Sequence, residues 1–208
     1  MRTYFARICW NTNDWRFPMR KAPKVELGSF VAKYGFGFEE WLQSYSWMLG
    51  DYHYSFLQPV GHPNRQGQDL HVLLYTIDDK KQRLYVGEIR QCHVIEEADA
   101  AKALREYESR GWLREMRSQV TTIGGDETRI TKNANPLDIF NIRFRPEDLV
   151  YYEQPLVAGP DDRVRRLNRY RLAEIRAEVL KKWKRRSGSF EPPGAHPVDR
   201  RGTGPSRI

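Results

Sequence analysis

Two cysteines in 208 residues, Cys9 and Cys92, are too few for a disulfide framework and point to no oxidising compartment. They also exclude a Cys₄ or Cys₂His₂ zinc site. No run approaches the ~18 apolar residues of a membrane-spanning helix. The opening MRTYFARICWNTND turns polar at once, unlike a secretory signal. The expectation is a cytoplasmic protein without a membrane partner. Several catalytic signatures are missing too: a Gly-x-x-x-x-Gly-Lys loop, a serine nucleophile elbow, and a His-x-Glu followed by Cys-x-x-Cys. No cofactor or metal site is expected.

What is present is aromatic and unevenly charged. Aromatic residues make up 12%, six of them Trp, which argues against a disordered chain. Residues 1–160 hold 21 basic and 21 acidic residues, so the whole net charge of +8 arises from 14 basic against 6 acidic residues in 161–208. A basic appendage on a neutral body points to a polyanion, with nucleic acid ahead of membrane.

The pattern reads as α+β. Residues 2–10 alternate as a strand, and the Asn11–Asp14 cluster with Pro18 and Pro23 makes a loop to about 28. A short helix is expected at 38–49. Strands at 52–60, 70–77 and 83–95 suggest an antiparallel meander. Residues 97–120 have helical spacing, with Ala101, Leu104, Tyr107, Leu113, Met116 and Val120 inward and a break or kink at Gly111. Residues 139–145 are a last strand, and Pro146-Glu147-Asp148 is a turn or helix start. Arg163–Arg186 reads as one basic helix with an apolar stripe through Val164, Leu167 and Ile175, followed by a Gly/Pro-rich tail expected to be disordered. The division is therefore 1–160 as the body, 161–186 as the basic helix and 187–208 as the tail.

Trp10, Trp15, Trp41 and Trp47 fall close together in sequence, beside Asn11, Asn13, Asp14, Glu39 and Glu40. Aromatic rings with a few polar groups can hold a planar ring and read its hydrogen-bonding edge. Gly35 and Gly37 would let the backbone approach a ligand. The same residues equally suit a hydrophobic core with loop caps, because Asn and Asp favour loops for local reasons.

The run Phe5-Ala6-Arg7-Ile8-Cys9-Trp10-Asn11-Thr12-Asn13-Asp14-Trp15 with Pro18, then Gly28-Ser29-Phe30-Val31, Gly35-Phe36-Gly37-Phe38-Glu39-Glu40-Trp41-Leu42 and Asp51–Val60, resembles the N-terminal regions of bacterial HNH-type endonucleases. Leu84–Ile89 and Asn141–Asp148 extend the resemblance over about residues 4–155. Those regions are associated with EVE-like modules of the PUA superfamily. The resemblance implies a small antiparallel or mixed β-barrel with flanking helices, here followed by the basic C-terminal helix. It also implies a reader that accepts a flipped, modified base, such as modified cytosine in DNA within a restriction system. On it, Trp10, Asn11, Asn13, Asp14, Trp15, Phe36, Glu39 and Trp41 are the pocket candidates.

The chain departs from that pattern in its cutting domain. After residue 100 the one histidine is His196 and there is no cysteine, so an HNH centre lacks its residues. The expectation is binding without catalysis, with a separate nuclease protein as a possible partner. The basic segment supplies phosphate contacts through Arg163, Arg165, Arg166, Arg169, Lys181, Lys182 and Arg185, unless it is simply a solvated helix face. Two alternatives stand: an RNA-binding PUA-like module, or a metal-dependent nuclease using Asp69 or Asp78 with Glu88. His53, His71 and His93 are expected to be structural.

Overall fold

A computed structural model describes residues 1–20, 29–167 and 172–175. Its elements in chain order are β1 (Arg2–Arg7), α1 (Phe30–Tyr34), β2 (Met48–Leu49), β3 (Tyr52–Ser55), β4 (Asp69–Ile77) and β5 (Arg83–Val94). There follow α2 (Glu97–Ser109), α3 (Trp112–Thr122), β6 (Ile142–Phe144), β7 (Leu149–Val157) and β8 (Ala173–Glu174). The class is α+β, as the alternating and helical periods predict.

The eight strands form one sheet in the order β2-β3-β6-β5-β4-β1-β8, with β7 joining along β5. β1 runs parallel to β4, and the other pairings are antiparallel. Among the described residues the sheet does not close between β2 and β8, so the expected barrel is not confirmed. The expected meander also changes. β4 and β5 form the predicted hairpin, but β3 pairs with β6, which returns after both helices. Local alternation identifies strands without identifying their partners.

One edge of β5 serves two partners, Leu84–Ile89 against β7 and His93–Val94 against β6. A register shift at Tyr85/Gly87 accompanies this. A Cβ on Gly87 would lie 2.5 Å from the Val150 carbonyl oxygen, so β7 can approach only a glycine there.

The buried apolar residues form two clusters. One face of the sheet buries Tyr4, Ala6, Ile8, Leu70, Val72, Leu74, Val86 and Ile89 with Trp15 and Leu42. The second core packs α2 and α3 through Ala100, Leu104, Tyr107, Leu113, Met116 and Val120 against Phe36, Trp41, Trp47 and Phe140. Gly111, at φ +78°, separates the two helices at the predicted place. Of the predicted inner face only Ala101 is displaced: Ala100 and Ala103 are buried in its stead. The helix expected at 38–49 is a single 3₁₀ turn, Phe38–Trp41, before the chain turns into β2.

The body does not stop at residue 160. Arg163–Arg166 is a 3₁₀ turn anchored by fully buried Val164, and Ala173–Glu174 pairs with Tyr4–Phe5 as β8. The helix expected to begin at Arg163 is therefore not formed there. Its apolar residues Val164 and Ile175 are buried instead, and the Ile175 amide donates to the Thr3 carbonyl of β1 at 2.8 Å. The compact unit runs Met1–Ile175. Arg169, Lys181, Lys182 and Arg185, the rest of the expected helix and the tail lie outside the described residues. Among the described residues no helix is long and apolar enough to cross a membrane.

Candidate functional site

The loop after β1 is built on Asn11. Its buried side chain accepts from the amides of Asn13 at 2.6 Å and Trp15 at 3.1 Å, and donates to the Phe17 carbonyl at 3.0 Å. These bonds hold Asp14 and Trp15 both at φ +53°, a conformation rare for any side-chain-bearing residue. The Trp15 indole is buried, donates to the Cys9 carbonyl at 3.0 Å and meets the Tyr151 ring edge-on at 6.0 Å. The Tyr151 hydroxyl donates to Asp14 at 3.1 Å. Burial first, and the Asp14 carboxylate next, push that phenol up to about 12.

Phe36 and Trp41 belong to the other core. Their rings pack at 5.7 Å, and the Trp41 indole donates to Gln119 of α3 at 2.8 Å. The eight predicted pocket residues thus do not line one cavity. Trp15 packs in the sheet core with Trp10 against it, while Phe36 and Trp41 pack under the helices. Asn11 and Asn13 hold the loop; the Asn13 amide donates to the Pro18 carbonyl at 3.3 Å. Aromatic density near Asn and Asp reported a core with loop caps at these positions.

Glu39 is the exception. It is buried and lines a cleft of about 420 Å³ together with Phe30, Phe38, Phe56, Gln58 and Arg129. Ser29, Val31, Gly37 and Asp138 complete the lining. Phe38 stands 5.5 Å from Phe30 and 5.7 Å from Phe56, which gives a continuous aromatic wall. Gly37 is needed for this shape, because a Cβ there would lie 2.9 Å from both Cys9 Sγ and a Glu39 carboxylate oxygen. At the rim Arg129 pairs with Asp138 at 3.5 Å, both about half exposed. The cleft therefore combines apolar ring faces with a buried carboxylate and an amide, a set suited to a flat ring bearing amine donors.

Sequence reasoning missed Phe30, Phe38, Phe56, Gln58, Arg129 and Asp138 as site residues. Phe56 and Gln58 follow β3 where a continuous strand was expected. Arg129 and Asp138 come from two 3₁₀ turns capped by Asp126 and Asn135. Those Asx caps were a readable turn signal, but nothing in the sequence links the turns to Phe38.

The basic residues within the described part stand apart from one another in role. Arg163 donates to the Glu174 carbonyl at 2.5 Å, whereas Arg165 and Arg166 project from the 3₁₀ turn and are exposed. The acidic residues of the nuclease alternative do not converge. Glu88 lies opposite Leu73, four residues along β4 from Asp69 and five from Asp78, roughly 13 and 16 Å at strand rise. Each is also engaged. His71 lies 2.9 Å from Glu88, His93 lies 2.8 Å from Asp69, and Asp78 accepts from the Gln82 amide at 2.6 Å in the hairpin turn. Burial pushes the Glu88 carboxyl up, but the His71 and Arg90 hydrogen bonds outweigh it, and its pKa lies below the usual value. Among the described residues no three His, Cys, Asp or Glu side chains gather in a metal-binding arrangement.

His53 is fully buried and its Nε2 donates to the Trp41 carbonyl at 2.9 Å. It fits the structural role expected for it.

Comparison with protein-family models, curated proteins and solved structures finds no match to this chain.

Proposed function

We propose that this chain binds DNA and reads a flipped, modified base, with modified cytosine as the ligand class. The observation that carries this reading is the cleft walled by Phe30, Phe38 and Phe56 with the Glu39 carboxylate buried in it. Ring stacking is favourable for any base, while a carboxylate accepts from an exocyclic amine and so favours cytosine or adenine over thymine. The apolar wall, Val31 included, suits a methyl or hydroxymethyl substituent. Arg165 and Arg166 supply sequence-neutral attraction to phosphates. In this reading the fold is an open PUA/EVE-type sheet, the setting is a cytoplasmic restriction system, and a separate nuclease protein does the cutting.

The test is fluorescence anisotropy of the full chain with duplexes carrying plain, methylated or hydroxymethylated cytosine, and with matching RNA. One modified duplex is expected to bind at least about tenfold tighter than plain DNA, the scale of one good polar contact. Glu39→Gln, which places an amide where the amine donates, is expected to weaken binding of the modified-cytosine duplex while basal binding persists. Equal affinity for modified and plain duplexes contradicts the reading. Tighter binding of RNA than of any duplex replaces it with the RNA-binding alternative.

A further inference from the structure

The segment from Asn11 to Met19 is fixed along its length. The carbonyls of Trp15, Arg16, Phe17 and Pro18 accept hydrogen bonds from the Gln43 amide, the Ser44 hydroxyl, the Asn11 side chain and the Asn13 side chain respectively. The Met19 amide donates to the buried Glu40 carboxylate at 3.2 Å, next in sequence to Glu39 of the cleft. On this held backbone the Phe17 ring is 47% exposed, the one exposed aromatic side chain among the described residues. Arg16 and Arg20 are exposed on either side of it.

An apolar ring held in water on a hydrogen-bonded loop, with a guanidinium group before and after it in sequence and two residues from Met19, whose amide is held by Glu40, has the make-up of a duplex wedge. Proteins that unstack DNA insert such rings between base steps, and enzymes and readers that flip a base must offset the lost stacking. We propose that Phe17 enters the duplex and fills the space left by the base received in the Phe30–Phe38–Phe56 cleft, while Arg16 and Arg20 meet the flanking phosphates. This inference rests on the base-reading function proposed above. It assigns a role to a residue that no core or hydrogen-bond argument requires to be aromatic.

The experiment uses the full chain and a duplex with 5-methylcytosine beside 2-aminopurine, whose fluorescence rises on unstacking. The wild-type protein is expected to raise it. Phe17→Ala is expected to lose most of that rise and about tenfold in duplex affinity, yet to bind the same strand unchanged when single or placed opposite an abasic site. Phe17→Leu is expected to restore part of both. A Phe17→Ala protein that unstacks and binds the duplex like wild type overturns the wedge and leaves base reading intact. Equal weakening toward duplex and single strand makes Phe17 an ordinary contact and also overturns it. Loss of self-association in Phe17→Ala on sedimentation, with duplex binding unchanged, assigns the ring to a contact between copies. A wild-type protein that binds no duplex removes both the base reading and the wedge.

Discussion

Replacing Asn11 by alanine removes one acceptor shared by two amides, Asn13 at 2.6 Å and Trp15 at 3.1 Å, and one donor to the Phe17 carbonyl at 3.0 Å. The Trp15 amide is buried, so leaving it unpaired costs about 1–3 kcal/mol of desolvation. The other two bonds lie nearer solvent and contribute about 0.5–1.5 kcal/mol each. The left-handed pair Asp14–Trp15 then loses its support as well. A loss of about 3 kcal/mol follows, which for a chain of this size is a fall in Tm of roughly 6–12 °C. Asn13→Ala, which removes a single 3.3 Å bond at a half-buried position, is expected to cost less than about 1 kcal/mol. Scanning calorimetry of the full chain separates the two. If Asn11→Ala melts within about 2 °C of wild type but has lost preference for modified DNA, Asn11 faces ligand and the scaffold argument is wrong.

Burial holds the His53 imidazole down at about 4, so the unfolded chain takes up its proton first. Stability is therefore unaffected by His53 above pH ~6.5, declines by about 3 kcal/mol in total as pH falls to 4, and levels below that; urea titrations should show His53→Gln losing that segment of the curve, and a curve unchanged by the substitution would refute it. Gly87→Ala drives a Cβ to 2.5 Å from the Val150 oxygen and should cost about 1–3 kcal/mol by displacing β7, read as a lower denaturation midpoint; a neutral result would mean the β5–β7 contact is looser than described. Joint Arg165→Gln and Arg166→Gln should weaken binding to every duplex alike and flatten the dependence of log K on log salt by up to about two. Point substitutions are required there, because deletion from residue 161 also removes β8. An unchanged salt slope would take these arginines off the phosphate path.

The hairpin β4–β5, strand β1 and the helix pair α2–α3 with its Gly111 break were legible because period and breaker residues are local. The pairing of β3 with β6 was not, since the intervening chain includes β4, β5 and both helices and alternation carries no partner information. β7 was missed because its burial is mixed, with Glu153, Gln154 and Pro155 exposed, and it does not alternate cleanly. Arg163–Leu167 illustrates the reverse error. Its spacing suits a helix, but burial of Val164 and the pairing of Ala173 with Phe5 draw the chain into the sheet. At the site, the aromatic cluster was visible in composition, yet which rings face a cleft depends on tertiary packing. Glu39, a candidate on the family resemblance, is the one member of that set that lines the cleft.

The most direct measurement is the ratio of dissociation constants for plain and modified duplexes, compared between wild type and Phe56→Ala. Phe56 is half-buried, forms the outer aromatic wall of the cleft and can be truncated with less damage to the core than Phe38. Loss of one stacking face is worth about 1–3 kcal/mol. The ratio is expected to fall toward one while affinity for plain duplex is retained. A ratio unchanged by Phe56→Ala would contradict the assignment of this cleft as the site of base reading.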